Sequence, residues 1–216
     1  MKKFAVVLSG CGVYDGSEIH EATLSMLAIA RQGCSYDIFA PDRNQHHVIN
    51  HLTGEEMDET RNVMVESARI ARGKVSDLKT FNPQEFDGLL FPGGFGAAKN
   101  LSTWAFEAAD AAVLPEVEDA IRGMVALKKP VGALCIAPVI LARVLGEVKL
   151  TIGDDEGTME AIESLGATHV ITTHGEVVVD PDFNLVTTPC YMLDATIDQI
   201  ALGANNVVDA MVKLME

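Results

Sequence analysis

Residues 4–41 decide the fold, and they read FAVVLSGCGVYDGSEIHEATLSMLAIARQGCSYDIFAP. Phe4 to Leu8 is a short apolar run that ends at Ser-Gly-Cys-Gly, which predicts a buried strand. A helically spaced apolar stripe follows, with Ser17 as the expected N-cap and Gly33 as the closing residue. Ser35 to Ala40 is a second short strand. Strand, helix and strand in this order form a βαβ unit, which implies a parallel sheet.

The same alternation continues to the end of the chain. Two more buried strands are predicted at Gly88–Phe91 and Val131–Leu134, and a hairpin at Glu176–Asp180 and Leu185–Thr188. The predicted helices are Pro115–Lys128, Ile136–Leu145, Gly157–Leu165 and Asp194–Met215. This pattern predicts an α/β fold of three layers, α/β/α, with a doubly wound and mostly parallel sheet of the flavodoxin-like kind.

Residues 42–79 interrupt this pattern. They contain six basic and seven acidic residues and three of the six histidines, His46, His47 and His51. A helical stripe through Glu59 to Arg72 predicts one helix there. We interpret the segment as a helical insertion in a single domain that spans residues 1–216, because the chain length fits one domain.

The composition excludes several classes of protein. Of 216 residues, 48% are hydrophobic and 22% charged, which is ordinary for a globular protein. The 16 basic and 31 acidic residues give a formal charge of −15, which argues against binding to nucleic acid or to an anionic membrane. The first apolar run is too short for a signal peptide, and the stretch Val131 to Ala142 is too short to span a bilayer. We therefore expect a cytoplasmic protein without a membrane partner.

Cys135 is the cysteine whose surroundings suggest chemistry. It lies where a buried strand runs into a helix, next to the small residues Ala133 and Ala137, as in a nucleophile elbow. The following helix N-terminus is expected to lower the pKa of its thiol. A buried structural cysteine is the alternative for this residue and for Cys11, Cys34 and Cys190. The four cysteines show no metal-binding spacing, so no metal is predicted.

Two other loops belong to the same expected edge of the sheet. Pro92-Gly93-Gly94 allows a close backbone approach, and the N–H groups of Gly94 and Ile136 could form an oxyanion hole. A tight turn that needs glycine is the alternative. Glu21 lies beside the buried stripe of the first helix, and a carboxyl group that points inward there would have a raised pKa and could exchange a proton.

Taken together, these motifs resemble a known family. Asp-Gly-x-Glu-x-x-Glu at 15–21, Pro-Gly-Gly at 92–94 and Cys-x-Ala-Pro at 135–138 resemble the PfpI/ThiJ superfamily, which includes the Parkinson-associated deglycase and glutathione-independent glyoxalases. The longer segments 9–21, 61–69 and 91–101 resemble its bacterial enhancing-lycopene-biosynthesis (ElbB) branch. The resemblance extends over nearly the whole chain, including the insertion, and implies a class I glutamine amidotransferase-like fold.

The resemblance also implies roles for individual residues. Cys135 matches the nucleophile, Glu21 the glutamate that hydrogen-bonds the sulfur, and Gly94 with Ile136 the backbone donors of the oxyanion hole. The implied activity is a glyoxalase reaction that converts the small aldehyde glyoxal, with methylglyoxal as a second substrate, to the hydroxy acid, which for glyoxal is glycolate. It needs neither a cofactor nor glutathione, and the resemblance suggests a homodimer.

One residue departs from the superfamily pattern. Proteases and amidases of the superfamily carry a histidine after the nucleophile, and this chain has Ile136. Without that histidine a leaving amine is harder to protonate. Addition of a thiol to an aldehyde depends less on such a proton donor, because no amine has to leave. Two alternatives stay open: a cysteine amidase, protease or amidotransferase-like hydrolase, and a non-enzymatic regulatory protein linked to isoprenoid biosynthesis.

The insertion supplies candidate substrate contacts. It leaves the sheet at the edge expected to carry Cys135, so residues 42–74 are predicted to form a lid or a pocket wall. His51 and Asn62 are the predicted substrate-binding side chains, together with the backbone of Gly93. The alternative for Asn62 is a helix cap. For each histidine, including His20 and His174, a solvated or capping role is the simpler interpretation.

Overall fold

The computed structural model describes residues 1–216 and is built on nine strands and eight α-helices. The strands are β1 Lys3–Val7, β2 Ser35–Ala40, β3 Ser76–Asp77, β4 Gly88–Phe91, β5 Val131–Leu134, β6 Lys149–Leu150, β7 Thr168–His169, β8 Val178–Asp180 and β9 Leu185–Thr188. The helices are α1 Ile19–Arg31, α2 Val63–Ile70, α3 Phe95–Lys99, α4 Trp104–Glu107, α5 Pro115–Ala126, α6 Pro138–Leu145, α7 Glu156–Glu163 and α8 Ile197–Leu214.

Seven of the strands form one sheet in the order β3-β2-β1-β4-β5-β9-β8. All neighbours in it are parallel except β8, which pairs with β9 in the antiparallel direction. The two-residue strands β6 and β7 form a separate small pair. The prediction of a doubly wound, mostly parallel α/β/α fold is confirmed.

The sheet separates two apolar cores. On one face, α1 and α8 pack against each other and against the strands, with Ile29, Val207 and Met211 fully buried. The other face is covered mainly by α5 and α6 and holds the larger of the two clusters. Because parallel strands are buried on both faces, they read as continuous apolar runs, and this is why β1, β4 and β5 are visible in the sequence.

Several predicted element boundaries are wrong by a few residues. Glu18, not Ser17, is the N-cap of α1, and its side chain accepts the N–H of Glu21. The helix after β5 begins at Pro138 rather than at Ile136, since residues 135–137 form the turn. The last helix begins at Ile197 with Thr196 as its N-cap, three residues later than expected. The short helices α3 and α4 were not predicted at all, because four or five residues carry no clear periodicity.

The segment 42–79 contains less helix than its sequence suggests. The predicted Glu59–Arg72 helix is shortened to α2, residues Val63–Ile70, because Asn62 caps it. The residues before α2 form a loop held by the isolated bridges Asn44–Asn62 and Ile49–Glu56. This loop lies over the chain that follows β1: Asp15 accepts the N–H of Ile49 at 2.7 Å.

None of the helices is both long and apolar enough to cross a membrane.

Candidate active site

Cys135 lies in a strained turn at the carboxyl end of β5. Its φ angle is +60°, in the left-handed region that non-glycine residues seldom adopt, and its side chain is 6% exposed. The turn is held on the sheet by a 3.0 Å hydrogen bond from the Cys135 N–H to the carbonyl oxygen of Thr188, at the end of neighbouring β9. The strand-to-helix geometry anticipated for this cysteine is therefore present.

Glu21 reaches the same point from the first turn of α1. It is fully buried, and both of its carboxyl oxygens accept backbone N–H groups: Oε2 from Gly93 at 2.9 Å and Oε1 from Tyr191 at 3.2 Å. These bonds fix the carboxyl group beside the sulfur of Cys135, and both groups lie against Gly93. Glu21, which lies next to the buried stripe of α1 in the sequence, thus points to the inside of the protein.

The glycines of the 92–94 loop make this close approach possible. A Cβ atom on Gly93 would lie 2.3 Å from Cβ of Cys135 and 2.6 Å from Oε2 of Glu21, so no other residue fits. Gly94 has φ +94°, and a Cβ atom there would lie 2.4 Å from the backbone nitrogen of Glu18. The carbonyl oxygen of Gly93 also accepts the N–H of Glu18 at 2.9 Å, which joins the loop to the start of α1.

The backbone N–H groups of Gly94 and Ile136 both act on the sulfur of Cys135. Each favours the thiolate and so lowers the pKa of the thiol. Two donors from different loops that converge on one atom are the arrangement that stabilises a negatively charged oxygen during addition to a carbonyl group. Gly94 and Ile136, named as candidate donors from the sequence, thus lie at the same sulfur.

Burial dominates the protonation of the Cys135–Glu21 pair. It raises the pKa of Glu21 to about 8, with a further contribution from the nearby Glu18 carboxylate. The Glu21 carboxyl group is therefore mostly protonated at neutral pH. Burial also raises the pKa of the Cys135 thiol, and an ionised Glu21 raises it further.

The expectation of a lowered thiol pKa at Cys135 is therefore wrong. It rested on a helix that begins directly after the cysteine, whereas α6 begins three residues later, at Pro138, which has no N–H group. The helix terminus is too far away to outweigh burial, because its effect fades within one turn. Activation of this thiol must come from its neighbours when a substrate is present.

Three residues near the pair were not proposed as site residues from the sequence. Cys190 and Tyr191 form a short 3₁₀ turn after β9, and burial, followed by the nearby Glu21 and Cys135, raises the pKa of the Cys190 thiol. His20, next to Glu21 in α1, lies 2.8 Å from the Tyr191 hydroxyl through its Nδ1 atom. The sequence feature that could have indicated Cys190 and Tyr191 is their position after Pro189, at the carboxyl end of β9, which is the neighbour of β5.

The predicted substrate-binding side chains of the insertion make no hydrogen bond to this cluster. His51 accepts the N–H of Tyr14 at 3.2 Å and lies against the tyrosine ring. Asn62 accepts the N–H of Val65 as the α2 cap and donates to Asp42 at 2.8 Å. Substrate contact by His51 and Asn62 stays a prediction. In the structure, Asn62 is the N-cap of α2.

Other candidate clusters are not assembled. His174 bonds the carbonyl oxygen of Asp194, while the carboxylate of Glu176 binds Thr173, so these two residues do not form a catalytic pair. No group of three or more His, Cys, Asp or Glu side chains is arranged to hold a metal ion.

Comparison with known proteins gives close relatives over almost the full chain. No protein-family model matches it. The ES1 protein homolog of Rattus norvegicus is 44% identical over 222 residues, covering 98% of this chain and 84% of the relative. The human glutamine amidotransferase-like class 1 domain-containing protein 3 is 45% identical, covering 98% and 83%. Both relatives are described as mitochondrial, which contradicts the expectation of a cytoplasmic protein.

Solved structures of similar proteins have the same fold as this chain. An isoprenoid biosynthesis protein with an amidotransferase-like domain from Ehrlichia chaffeensis superposes with a TM-score of 0.94 at 39% identity, over 100% of both chains. A ThiJ/PfpI domain protein from Brachyspira murdochii superposes with a TM-score of 0.60 at 16% identity, over 98% of this chain and 96% of its own. The second likeness concerns the fold alone.

Proposed function

Because the chain belongs to the ES1 family of class I glutamine amidotransferase-like proteins, within the ThiJ/PfpI and DJ-1 superfamily, we propose that it is a glyoxalase. In this proposal Cys135 is the nucleophile, glyoxal is the substrate and glycolate is the product. Methylglyoxal would be handled in the same way, since its extra methyl group does not change the chemistry at the aldehyde carbon. The reaction needs no cofactor and no glutathione.

The convergence of a carboxyl group and two backbone donors on the Cys135 sulfur carries this proposal. Glu21 is fully buried and has a pKa of about 8, while Gly94 and Ile136 supply N–H groups at the same sulfur. A carboxyl group with that pKa can both lose and regain a proton near neutral pH, which suits a proton transfer between two carbons.

The first step is addition of the sulfur to the aldehyde. The sulfur of Cys135 attacks one carbonyl carbon of glyoxal, and the oxygen of that carbonyl becomes negatively charged. The N–H groups of Gly94 and Ile136 would stabilise this oxygen until the thiol proton reaches it. The product is a hemithioacetal in which the second carbonyl is still intact.

The second step moves a proton within the bound substrate. Glu21, in its ionised form, removes the hydrogen from the carbon attached to sulfur, and the electron pair forms a carbon–carbon double bond, which leaves the second oxygen negatively charged as an enediolate. The hydroxyl proton on the first carbon moves to the second oxygen. The carboxyl group then returns its proton to the second carbon, so that the carbon on sulfur becomes a thioester carbonyl and the second carbon a CH2OH group. Hydrolysis of this thioester by water releases glycolate and restores the thiol.

Amide hydrolysis receives less support from this site. A leaving amine has to accept a proton, and the position after the nucleophile is Ile136, which has none to give. The thiolate that leaves in the proposed reaction needs no such donor to depart, although it regains a proton afterwards. A role in isoprenoid production, which the name of the Ehrlichia protein suggests, would be a consequence for the cell rather than a different chemistry at Cys135.

A panel of small aldehydes tests the proposal. Wild type and Cys135→Ala are incubated with glyoxal, methylglyoxal and glycolaldehyde, and the products are identified by NMR. We expect glycolate from glyoxal with wild type and a loss of at least ~10³-fold with Cys135→Ala, since the covalent step is removed. Cys190→Ala is the matched control. Equal turnover by wild type and Cys135→Ala would leave a binding or regulatory protein as the better description.

We further propose that the protein is a homodimer in solution. The basis is the likeness to the superfamily and the nearly neutral charge of residues 42–79 in a chain of net charge −15, which weakens repulsion at that surface. Sedimentation at micromolar concentration should give a species of twice the chain mass of 23.1 kDa. A single species at the chain mass would refute the dimer.

A further inference from the structure

His20 and Tyr191 form a hydrogen-bonded pair beside the Cys135 site. Nδ1 of His20 lies 2.8 Å from the hydroxyl oxygen of Tyr191, and the two rings are 5.9 Å apart. The backbone N–H of the same tyrosine donates to Oε1 of Glu21. The pair therefore joins the first turn of α1 to the turn after β9, at the carboxyl edge of the sheet where Cys135 lies.

The pair leaves one nitrogen of His20 free. When Nδ1 carries the hydrogen and donates it to the Tyr191 oxygen, Nε2 keeps a lone pair, and it has no hydrogen-bond partner in the protein. The His20 side chain is 50% exposed, so Nε2 has access to water. The Oε1 atom of Glu18 lies 3.9 Å from Nδ1, and its negative charge favours a hydrogen on that nitrogen.

The proposed reaction lacks a group for its last step. Glu21 serves the carbon-to-carbon proton transfer, and its two oxygens are already held by backbone N–H groups of Gly93 and Tyr191. Hydrolysis of the thioester on Cys135 requires a base that can reach water at the mouth of the site. Ile136 cannot supply one, because its side chain has no ionisable group.

We propose that His20 is the general base that activates water for hydrolysis of the Cys135 thioester, and that Tyr191 orients it. This inference rests on the glyoxalase reaction proposed above. A base held by a hydrogen bond at its far nitrogen is the arrangement that keeps an imidazole in one tautomer during acyl transfer. Here the base is contributed by α1 instead of by the residue after the nucleophile.

In this step His20 takes a proton from water and later gives it to the sulfur of Cys135. The water oxygen forms a bond to the thioester carbon, and one water proton moves to Nε2 of His20. The carbonyl oxygen becomes negatively charged and lies between the N–H groups of Gly94 and Ile136. The carbon–sulfur bond then breaks, glycolic acid leaves and loses its proton to solvent, and the thiolate of Cys135 takes the proton back from His20.

Substitution of His20 by asparagine separates a catalytic role from a structural one. The asparagine amide occupies the place of Nδ1 and can keep the bond to Tyr191, but it cannot act as a base. In a single-turnover reaction of His20→Asn with glyoxal, quenched in acid, we expect a glycolyl group to accumulate on Cys135, detected by intact mass and removed by hydroxylamine. Steady-state turnover should fall ~10²-fold, with formation of the thioester little changed. Tyr191→Phe should show the same defect more weakly, and His174→Asn is the control.

A second measurement does not depend on glyoxal. Cys135 is acetylated with p-nitrophenyl acetate, and loss of the acetyl group is followed by mass over a range of pH. Slower loss in His20→Asn than in wild type supports the inference even if glyoxal turns out not to be a substrate, in which case the glyoxalase proposal alone fails. If His20→Asn loses the acetyl group as fast as wild type, or if its thioester never accumulates while turnover falls, His20 is not the base.

Discussion

Two cysteines occupy almost equivalent places in this molecule. Cys135 follows β5 and Cys190 follows β9, and these strands are parallel neighbours. Both residues have positive φ angles, +60° and +42°, and both side chains are nearly buried, at 6% and 5% exposed. Burial raises the pKa of both thiols. Position at a strand end, strain and burial therefore do not explain why Cys135 rather than Cys190 is the proposed nucleophile.

The surroundings of the two sulfur atoms do differ. The Cys135 sulfur lies against Gly93, two backbone donors and the Glu21 carboxyl group. The Cys190 sulfur lies against helix α8, where a Cβ atom on Gly203 would be 3.1 Å away, and it has no backbone donor. The loop that faces each cysteine is thus the difference on which the proposal for Cys135 depends. The following predictions test that difference.

The glycine that faces each cysteine gives the largest contrast. Gly93→Ala should reduce glyoxal turnover by ~10³-fold, because the new methyl group overlaps Cys135 and displaces the oxyanion donors. Gly203→Ala should keep most of the activity, since crowding of Cys190 is offset by the ~1 kcal/mol that alanine adds to a helix. Steady-state kinetics and thermal unfolding of both variants provide the measurement. Equal losses of activity in the two variants would show that the two elbows are not distinct.

Alkylation compares the reactivity of the two thiols directly. In a background without Cys11 and Cys34, iodoacetamide should label Cys135 before Cys190, because only Cys135 has N–H donors that stabilise the thiolate. Labelling of Cys135 should keep rising above pH ~8.5, the value for a free thiol, since burial raises its pKa. Peptide mapping at several pH values measures both rates. A plateau for Cys135 below pH 8 would mean that the donors outweigh burial.

The Glu21 carboxyl group should make stability depend on pH. Its pKa is raised from 4.5 to about 8 on folding, so its favourable contribution is complete below pH 4.5 and is lost as the pH rises through 8. Relative to Glu21→Gln, the free energy of unfolding of wild type should therefore fall by roughly 1.4 kcal/mol per pH unit within that window. Urea unfolding of both proteins at pH 5, 6, 7 and 8 measures this difference. A difference that does not change with pH would mean that Glu21 is ionised in the folded protein.

Asn62 gives the smallest effect and tests whether the insertion contributes to the site. Asn62→Ala should lower the free energy of unfolding by about 1 kcal/mol through loss of the α2 cap, whereas Asn62→Ser should keep the cap. If Asn62 also binds substrate, Asn62→Ser should raise the KM for glyoxal severalfold with kcat unchanged. An unaltered KM in Asn62→Ser would leave Asn62 with the capping role alone.

The fold could be predicted because its central strands are buried on both faces. Phe4 to Leu8 and Val131 to Leu134 have to be apolar throughout, and the residues that end them mark the active edge of the sheet. Helix boundaries were less accurate, because the cap residues Glu18 and Asn62 are held in place by residues far along the chain. The N–H of Glu18 donates to Gly93, and Asn62 forms a bridge with Asn44. The shortening of the predicted helix before Asn62 has this cause.

The candidate site residues that the sequence indicates lie in short motifs, whereas the neighbours that it does not indicate are brought to the candidate site by the topology of the sheet. Cys135, Glu21 and Gly94 lie in local patterns that suggest chemistry. Tyr191 has no such pattern, and it reaches Glu21 only because β9 lies next to β5 in the sheet, 170 residues along the chain from Glu21. The direction of the Cys135 pKa could not be predicted either, since it depends on how deeply the elbow is buried.

Helix α8 also has a consequence for the way the chain is made. It follows all the strands of the sheet in the chain, yet its Met211 fills the space above Gly132 of β5, and the carbonyl oxygen of Met215 accepts a hydrogen bond from Lys2 near the first strand. A nascent chain that ends before α8 would leave one apolar face of the sheet open to water. That face is covered only after α8 has left the ribosome, and until then the partly synthesised chain is exposed to aggregation and to chaperones.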